Sequence, residues 1–178
     1  MSHVAPRAAH PGTAALPAES EARIRSLLGQ VPDPEIPVLS VIDLGVIRHL
    51  ALRPDGTVEV GVAPTYSGCP ATPVIKADIV RALAGAGFQV AAVDVLSPPW
   101  TSDWISAEGR RKLAAFGIAP PAQAVGSARA LLAKDPPVAC PRCGSGRTAR
   151  TSEFGSTPCK ALYRCEACLE PFDYFKCL

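Results

Sequence analysis

The sequence predicts a small α+β (α/β) domain, a sheet with packed helices, followed by a separate cysteine-rich module. Three observations predict it. Apolar patterns recur in the order helix, strand, strand, helix, strand, helix across residues 19–119, a Pro- and Ala-rich run fills 120–138, and six of the seven cysteines crowd the last 39 residues. The 178 residues are enough for one ordinary domain or two small ones. An apolar content of 48% with 19% charged residues excludes wholesale disorder. The net charge of +2 argues against a dedicated nucleic-acid binder. No apolar stretch approaches the ~18–20 residues that cross a bilayer, and the N-terminus lacks the apolar core of a secretory signal. A cytoplasmic protein is expected, with neither nucleic acid nor membrane as a partner.

Residues 1–18 mix Ala, Pro, His and Gly without period and read as a disordered tail. Ser20 is a plausible N-cap for a helix whose stripe is Ile24, Leu27, Leu28 and Val31, and Pro32-Asp33-Pro34 must stop it. Val38 to Leu52 is rich in Val, Ile and Leu, broken by a turn or bulge at Asp43-Leu44-Gly45 that feeds a strand. Arg53-Pro54-Asp55-Gly56 is a turn, with proline presetting φ and glycine taking the left-handed position. Beyond it, Val58, Val60 and Val62 alternate with Thr57, Glu59 and Gly61, the pattern of a second hairpin strand. Cys69-Pro70 opens the next helix, with Ile75, Ile79, Ala82, Leu83 and Ala86 as its buried stripe and Gly85 or Gly87 as its end. Gln89 to Leu96 is a third strand, broken by Pro98-Pro99, and Trp104 to Phe116 a short helix capped by Thr101 or Ser102 and stopped by Gly117. In the linker, Ser127 to Lys134 has the pattern of one helical turn.

The segment from 139 to 178 is too short to hold a core without a staple. Cys140-Pro-Arg-Cys143 and Cys165-Glu-Ala-Cys168 are two Cys-x-x-Cys knuckles separated by 21 residues. Two such turns supply the four thiolates that tetrahedral zinc prefers, so a zinc ribbon with Cys140, Cys143, Cys165 and Cys168 as metal ligands is the leading expectation. An iron–sulfur cluster also accepts four thiolates, and the surplus Cys159 and Cys177 keep that alternative open; four buried, metal-free thiols are a third. The module holds six basic and four acidic residues. With the two negative charges of a metal tetrathiolate it has no net charge, and little drive toward nucleic acid. Phe154, Tyr163, Phe172, Tyr174 and Phe175 form either a protein-contact surface or the ribbon's own minimal core.

Thr65-Tyr66-Ser67-Gly68-Cys69-Pro70 places one cysteine at the N-cap or first turn of a helix, where free amides and the positive end of the dipole favour a thiolate. The alternative is a small half-buried hydrophobe. Histidine is scarce: His3 and His10 lie in the tail and His49 on a strand, a poor supply for a Cys–His pair. Asp33, Glu35 and Asp43 could join Cys69 around a transient metal, or serve only as turn residues.

Asp33-Pro-Glu-Ile-Pro37, Asp43-Leu-Gly45 and Thr65-Tyr-Ser-Gly-Cys-Pro70 resemble the metal–sulfur cluster biosynthesis family, a SufT-like small α/β domain. Trp104-Ile105, Gly109-Arg-Arg-Lys-Leu113, Gly117-Ile-Ala-Pro-Pro121, Phe154-Gly-Ser-Thr157 and Phe172-Asp-Tyr-Phe-Lys-Cys177 extend the resemblance, from about Glu19 to Leu178, to the D-subunit family of phenylacetyl-CoA 1,2-epoxidase. That resemblance implies a part in aerobic phenylacetate catabolism. It implies as partners the other subunits of a multicomponent oxygenase: a di-iron catalytic subunit and a reductase carrying flavin and iron–sulfur. It also implies an accessory role in maturing or maintaining an iron or iron–sulfur centre. An iron–sulfur-carrying electron-transfer subunit and a structural scaffold are the competing readings. The chain has no Glu-x-x-His pair for a di-iron site and no Gly-x-Gly-x-x-Gly fingerprint. No catalytic residue is expected in it.

Overall fold

The computed structural model describes residues 12–121 and 138–176. Residues 1–11, most of the expected linker with its helical turn, and Cys177 lie outside the described residues. The described chain divides into two compact units, one running to Trp100 and one beginning at Thr101.

The first unit holds helix α1 (Ala18–Leu28), strands β1 (Ile47–Leu52) and β2 (Val58–Val62), helix α2 (Ala71–Gly85) and strand β3 (Val90–Asp94). β1 and β2 form the expected antiparallel hairpin, and β3 lies parallel to β2 on its other side. The turn at 53–56 is closed by the Arg53 amide donating to Thr57 O at 2.9 Å, with Gly56 at φ +82°. A parallel pair needs a crossover element, which α2 supplies. Ile24 and Leu28 of α1 are fully buried, as are Ile79 and Leu83 of α2 and Val60 of β2.

Two local expectations change here. The tail ends earlier than residue 18: Ala14 exchanges two 2.8 Å backbone hydrogen bonds with Leu52, and Leu16 is buried. This bridge lies beside β1, which would otherwise present an unpaired edge. Helix α1 accordingly starts at Ala18 after Pro17, not at a Ser20 cap. Its last turn closes at Gly29, ahead of the prolines. In β2 all five residues are buried. As the central strand it is covered on both faces, so Glu59 sits inside with no exposed surface.

The second unit comprises a 3₁₀ turn (Ser102–Trp104), helix α3 (Ala107–Phe116), and strands β4 (Ile118–Ala119), β5 (Thr148–Ser152), β6 (Lys160–Cys165) and β7 (Pro171–Phe175). The sheet order is β4-β7-β6-β5. The cap of α3 is Ser106, whose hydroxyl accepts from the Gly109 amide at 2.9 Å, not Thr101 or Ser102, because Ile105 and Ser106 are extended and separate the 3₁₀ turn from the helix. Gly117 ends the helix at φ +96°, as expected. Ile118 and Ala119, expected to close the first domain, pair instead with Asp173 and Tyr174 of β7. Tyr163, Phe172 and Tyr174 are core residues of this sheet, with ring centroids 5.9 Å (Tyr163–Phe172) and 5.4 Å (Tyr163–Tyr174) apart. Phe175 is also buried, and Phe154 is the exposed exception.

Candidate metal centre and the Cys69 loop

Both knuckles sit at one end of the second sheet. Cys165 is the last residue of β6, and β5, its neighbour, begins four residues after Gly144. The first knuckle is closed by the Gly144 amide donating to Cys140 O at 2.8 Å. In the second, the Ala167 and Cys168 amides point at Cys165 Sγ from 3.4 and 3.5 Å. The residue after each knuckle's second cysteine has a left-handed backbone, Gly144 at φ +72° and Leu169 at φ +65°.

The four sulfurs lie within 4.8 Å of one another. Cys140 Sγ is 3.8 Å from Cys168 Sγ, and Cys143 Sγ is 3.6 Å from Cys165 Sγ. Ligands at ~2.3 Å from one tetrahedral metal ion stand ~3.8 Å apart along each edge. The observed pairs match that edge and are far too long for an S–S bond of ~2.05 Å. The residues therefore fit a single ion. The Cys168 and Ala167 amides hold the Cys165 thiol down at about 6. Cys168 gains from the Glu170 amide, but burial and the three neighbouring thiols push it up to about 12, as expected when four thiols crowd together. A divalent cation removes that conflict by holding all four as thiolates. Cys159 stands apart from the group, buried with its sulfur 3.0 Å from Thr157 Oγ1.

In the first unit, Asp33 and Asp43 are buried loop-holding acceptors. Asp33 Oδ1 takes the amides of Glu35 at 2.9 Å and Ile36 at 2.7 Å. Asp43 Oδ2 takes the amide and hydroxyl of Ser40 at 3.0 and 2.8 Å. Trp100 Nε1 donates to Leu44 O at 3.0 Å and fastens the same loop. Glu35 is half-buried. Cys69 is 8% exposed and precedes Pro70, the N-cap of α2, so it lies just outside the helix rather than at its N-cap or in its first turn. Among the described residues the four-cysteine group is the one place where three or more such ligands come together, so Asp33, Glu35, Asp43 and Cys69 do not form a preassembled ligand set.

Sequence reasoning missed a buried charge cluster on the β1–β2 hairpin. Glu59 Oε1 lies 3.0 Å from His49 Nε2, and Glu59 Oε2 accepts from Arg53 at 2.8 Å. The His49 ring lies across Gly61, where a Cβ would come within 2.3 Å of it. The available signal was Gly61, two places on from Glu59 and so on the same face of the strand, which leaves room for the His49 ring.

The chain is thus an α/β domain with an Asp loop and a cysteine before a helix, followed by a four-cysteine β-ribbon that can hold a metal ion. Two family models match accordingly: an iron-sulfur cluster assembly protein model over residues 21–95, and a PaaD zinc beta ribbon domain model over residues 124–176. The chain belongs to the D-subunit family of 1,2-phenylacetyl-CoA epoxidase. It is 51% identical over 156 residues to the "Putative 1,2-phenylacetyl-CoA epoxidase" D-subunit of Escherichia coli (strain K12), covering 87% of this chain and 92% of that one. It is also 34% identical over 86 residues to the "Fe-S protein maturation auxiliary factor YitW" of Bacillus subtilis (strain 168), covering 47% of this chain and 82% of that protein. A solved domain of unknown function, DUF59, from Bacillus anthracis overlays 52% of this chain and 90% of its own, at a TM-score of 0.48 and 22% identity. No described helix is long and apolar enough to cross a membrane.

Proposed function

We propose that this protein is an accessory subunit of the phenylacetyl-CoA ring 1,2-epoxidase that matures or maintains an iron or iron–sulfur centre of that complex. One observation carries the reading: a segment matching the iron–sulfur assembly model, with Asp33, Glu35, Asp43 and Cys69 inside it, occurs in a chain half identical to an epoxidase subunit along most of its length. In this reading Asp33 and Asp43 shape the loop while Cys69, with Glu35, ligates iron in transit. A thiolate is the soft ligand in that set, and carboxylates do not replace it for iron–sulfur cargo. The C-terminal cysteines hold zinc, which shapes the ribbon as a docking module. The partners are the di-iron catalytic subunit, the reductase, or both, in the cytoplasm.

A bacterium carrying Cys69→Ala in place of the wild-type gene is expected to fail to grow on phenylacetate, as a deletion strain should, while accumulating normal amounts of folded, zinc-loaded protein. Growth at the wild-type rate would return Cys69 to a packing role and leave the proposal without its metal-handling group.

A further inference from the structure

One knuckle fills its left-handed turn position with a residue that the turn does not favour. Both Gly144 and Leu169 occupy the left-handed backbone position that follows a knuckle's second cysteine. Glycine adopts it freely, whereas a leucine there is strained by its Cβ. Packing inside the fold does not offset the strain, because Leu169 is 62% exposed. Arg164 Nε donates to the Leu169 carbonyl at 3.4 Å, a contact to the backbone of the same turn. A strained, solvent-facing leucine on a rigid turn is a feature to explain by contact with something else.

Two neighbours strengthen the case. Arg142, between the cysteines of the first knuckle, lays its guanidinium over Gly117, where a Cβ would stand 3.3 Å from its Nη2. Phe116, the residue before, is 59% exposed. The sulfur pair Cys140–Cys168, 3.8 Å apart, joins the knuckle of Arg142 to that of Leu169. An exposed aromatic, an exposed leucine and an arginine with no ion pair among the described residues thus gather around the metal end of the second unit.

We infer that this end, centred on Leu169 and flanked by Phe116 and Arg142, docks another protein subunit that offers an apolar socket with a carboxylate at its rim. Aromatic and arginine anchors on a rigid frame are what protein hot spots use. Glu166, Glu170 and the charge of a tetrathiolate share the same end with the arginines, so it has no polycationic character to draw a nucleic acid or an anionic lipid surface. The inference rests on the subunit role proposed above and names the surface that serves it.

The test is binding of the full-length zinc-loaded chain to each separately purified epoxidase subunit, compared for wild type, Leu169→Gly, Phe116→Ser and, as a distant control, Phe154→Ser. Leu169→Gly relieves the backbone strain, so it should keep its zinc and melt no lower than wild type while binding at least about tenfold more weakly. Phe116→Ser should weaken binding as well, and Phe154→Ser should not. Unchanged affinity for Leu169→Gly, or a loss confined to Phe154→Ser, would overturn this surface while leaving the subunit role standing. A wild-type chain that binds no epoxidase subunit would defeat both. Self-association abolished by Leu169→Gly would make the occupant a second copy of the chain and overturn the stated partner.

Discussion

Replacing Cys165 with serine is expected to strip the metal and unfold the ribbon. Cys140 and Cys165 are buried in the same core as Tyr163, Phe172 and Tyr174. The metal site and the apolar core of β6 and β7 are thus one structure, and losing a ligand exposes both. Metal binding to modules of this size is folding free energy, on the order of 10 kcal/mol, more than so short a sheet retains from packing alone. Substitution of Cys140, Cys143 or Cys168, or exhaustive chelation, should do the same. The unit ending at Trp100 has its own core in Ile24, Leu28, Val60, Ile79 and Leu83 and should stay folded. Hydrogen exchange resolves the two cases. Loss of protection in β6 and β7 with retention in β2 and α2 is the expected pattern. Protected β6 and β7 amides in a metal-free Cys165→Ser protein would contradict it.

The second large effect is expected at Glu59. Its carboxylate is enclosed and bonded to His49 and Arg53, whose side chains are 10% and 30% exposed. Removing it leaves two donors and a cationic group without their acceptor in the middle of a sheet. Deleting one partner of a buried pair costs about 3–5 kcal/mol, and Glu59→Ala should lose that much in denaturant unfolding of the first unit. Glu59→Gln, which keeps the volume and one acceptor oxygen, should lose less. A loss below ~1 kcal/mol for Glu59→Ala would mean that the cluster is more accessible to water than its burial indicates.

The same residue shows where sequence reading stops. Alternation of Val58, Val60 and Val62 correctly marks a strand, but a period of two shows only that its faces differ, not that one is wet. Once β3 is added beside β2, the hairpin strand becomes central and Glu59 turns into a core residue. The helices were legible because their stripes are long and end at proline or glycine. β4 was not, since two residues carry no period and their partner in β7 lies more than fifty positions later. The metal centre was legible because Cys-x-x-Cys spacing encodes a turn with both sulfurs on one side. Leu169 was not, because nothing in Cys-Leu-Glu signals a left-handed leucine, whereas Gly144 in the same position advertises itself. Asp33 and Asp43 were picked out by their motif, and only the hydrogen bonds show that their carboxylates are committed to the loop.

The maturation role proposed for this protein makes it necessary for producing active epoxidase but not for turnover. The direct measurement is the NADPH-dependent epoxidation rate of fully iron- and cluster-loaded epoxidase components as this subunit is titrated in, alongside the iron content of the same components purified from cells lacking it. A maturation role predicts a rate independent of the added subunit, and iron or cluster depletion in components from the deletion strain that Cys69→Ala does not restore. Components fully loaded without this protein, with a rate that climbs in proportion to it, would contradict the claim and make electron transfer the function.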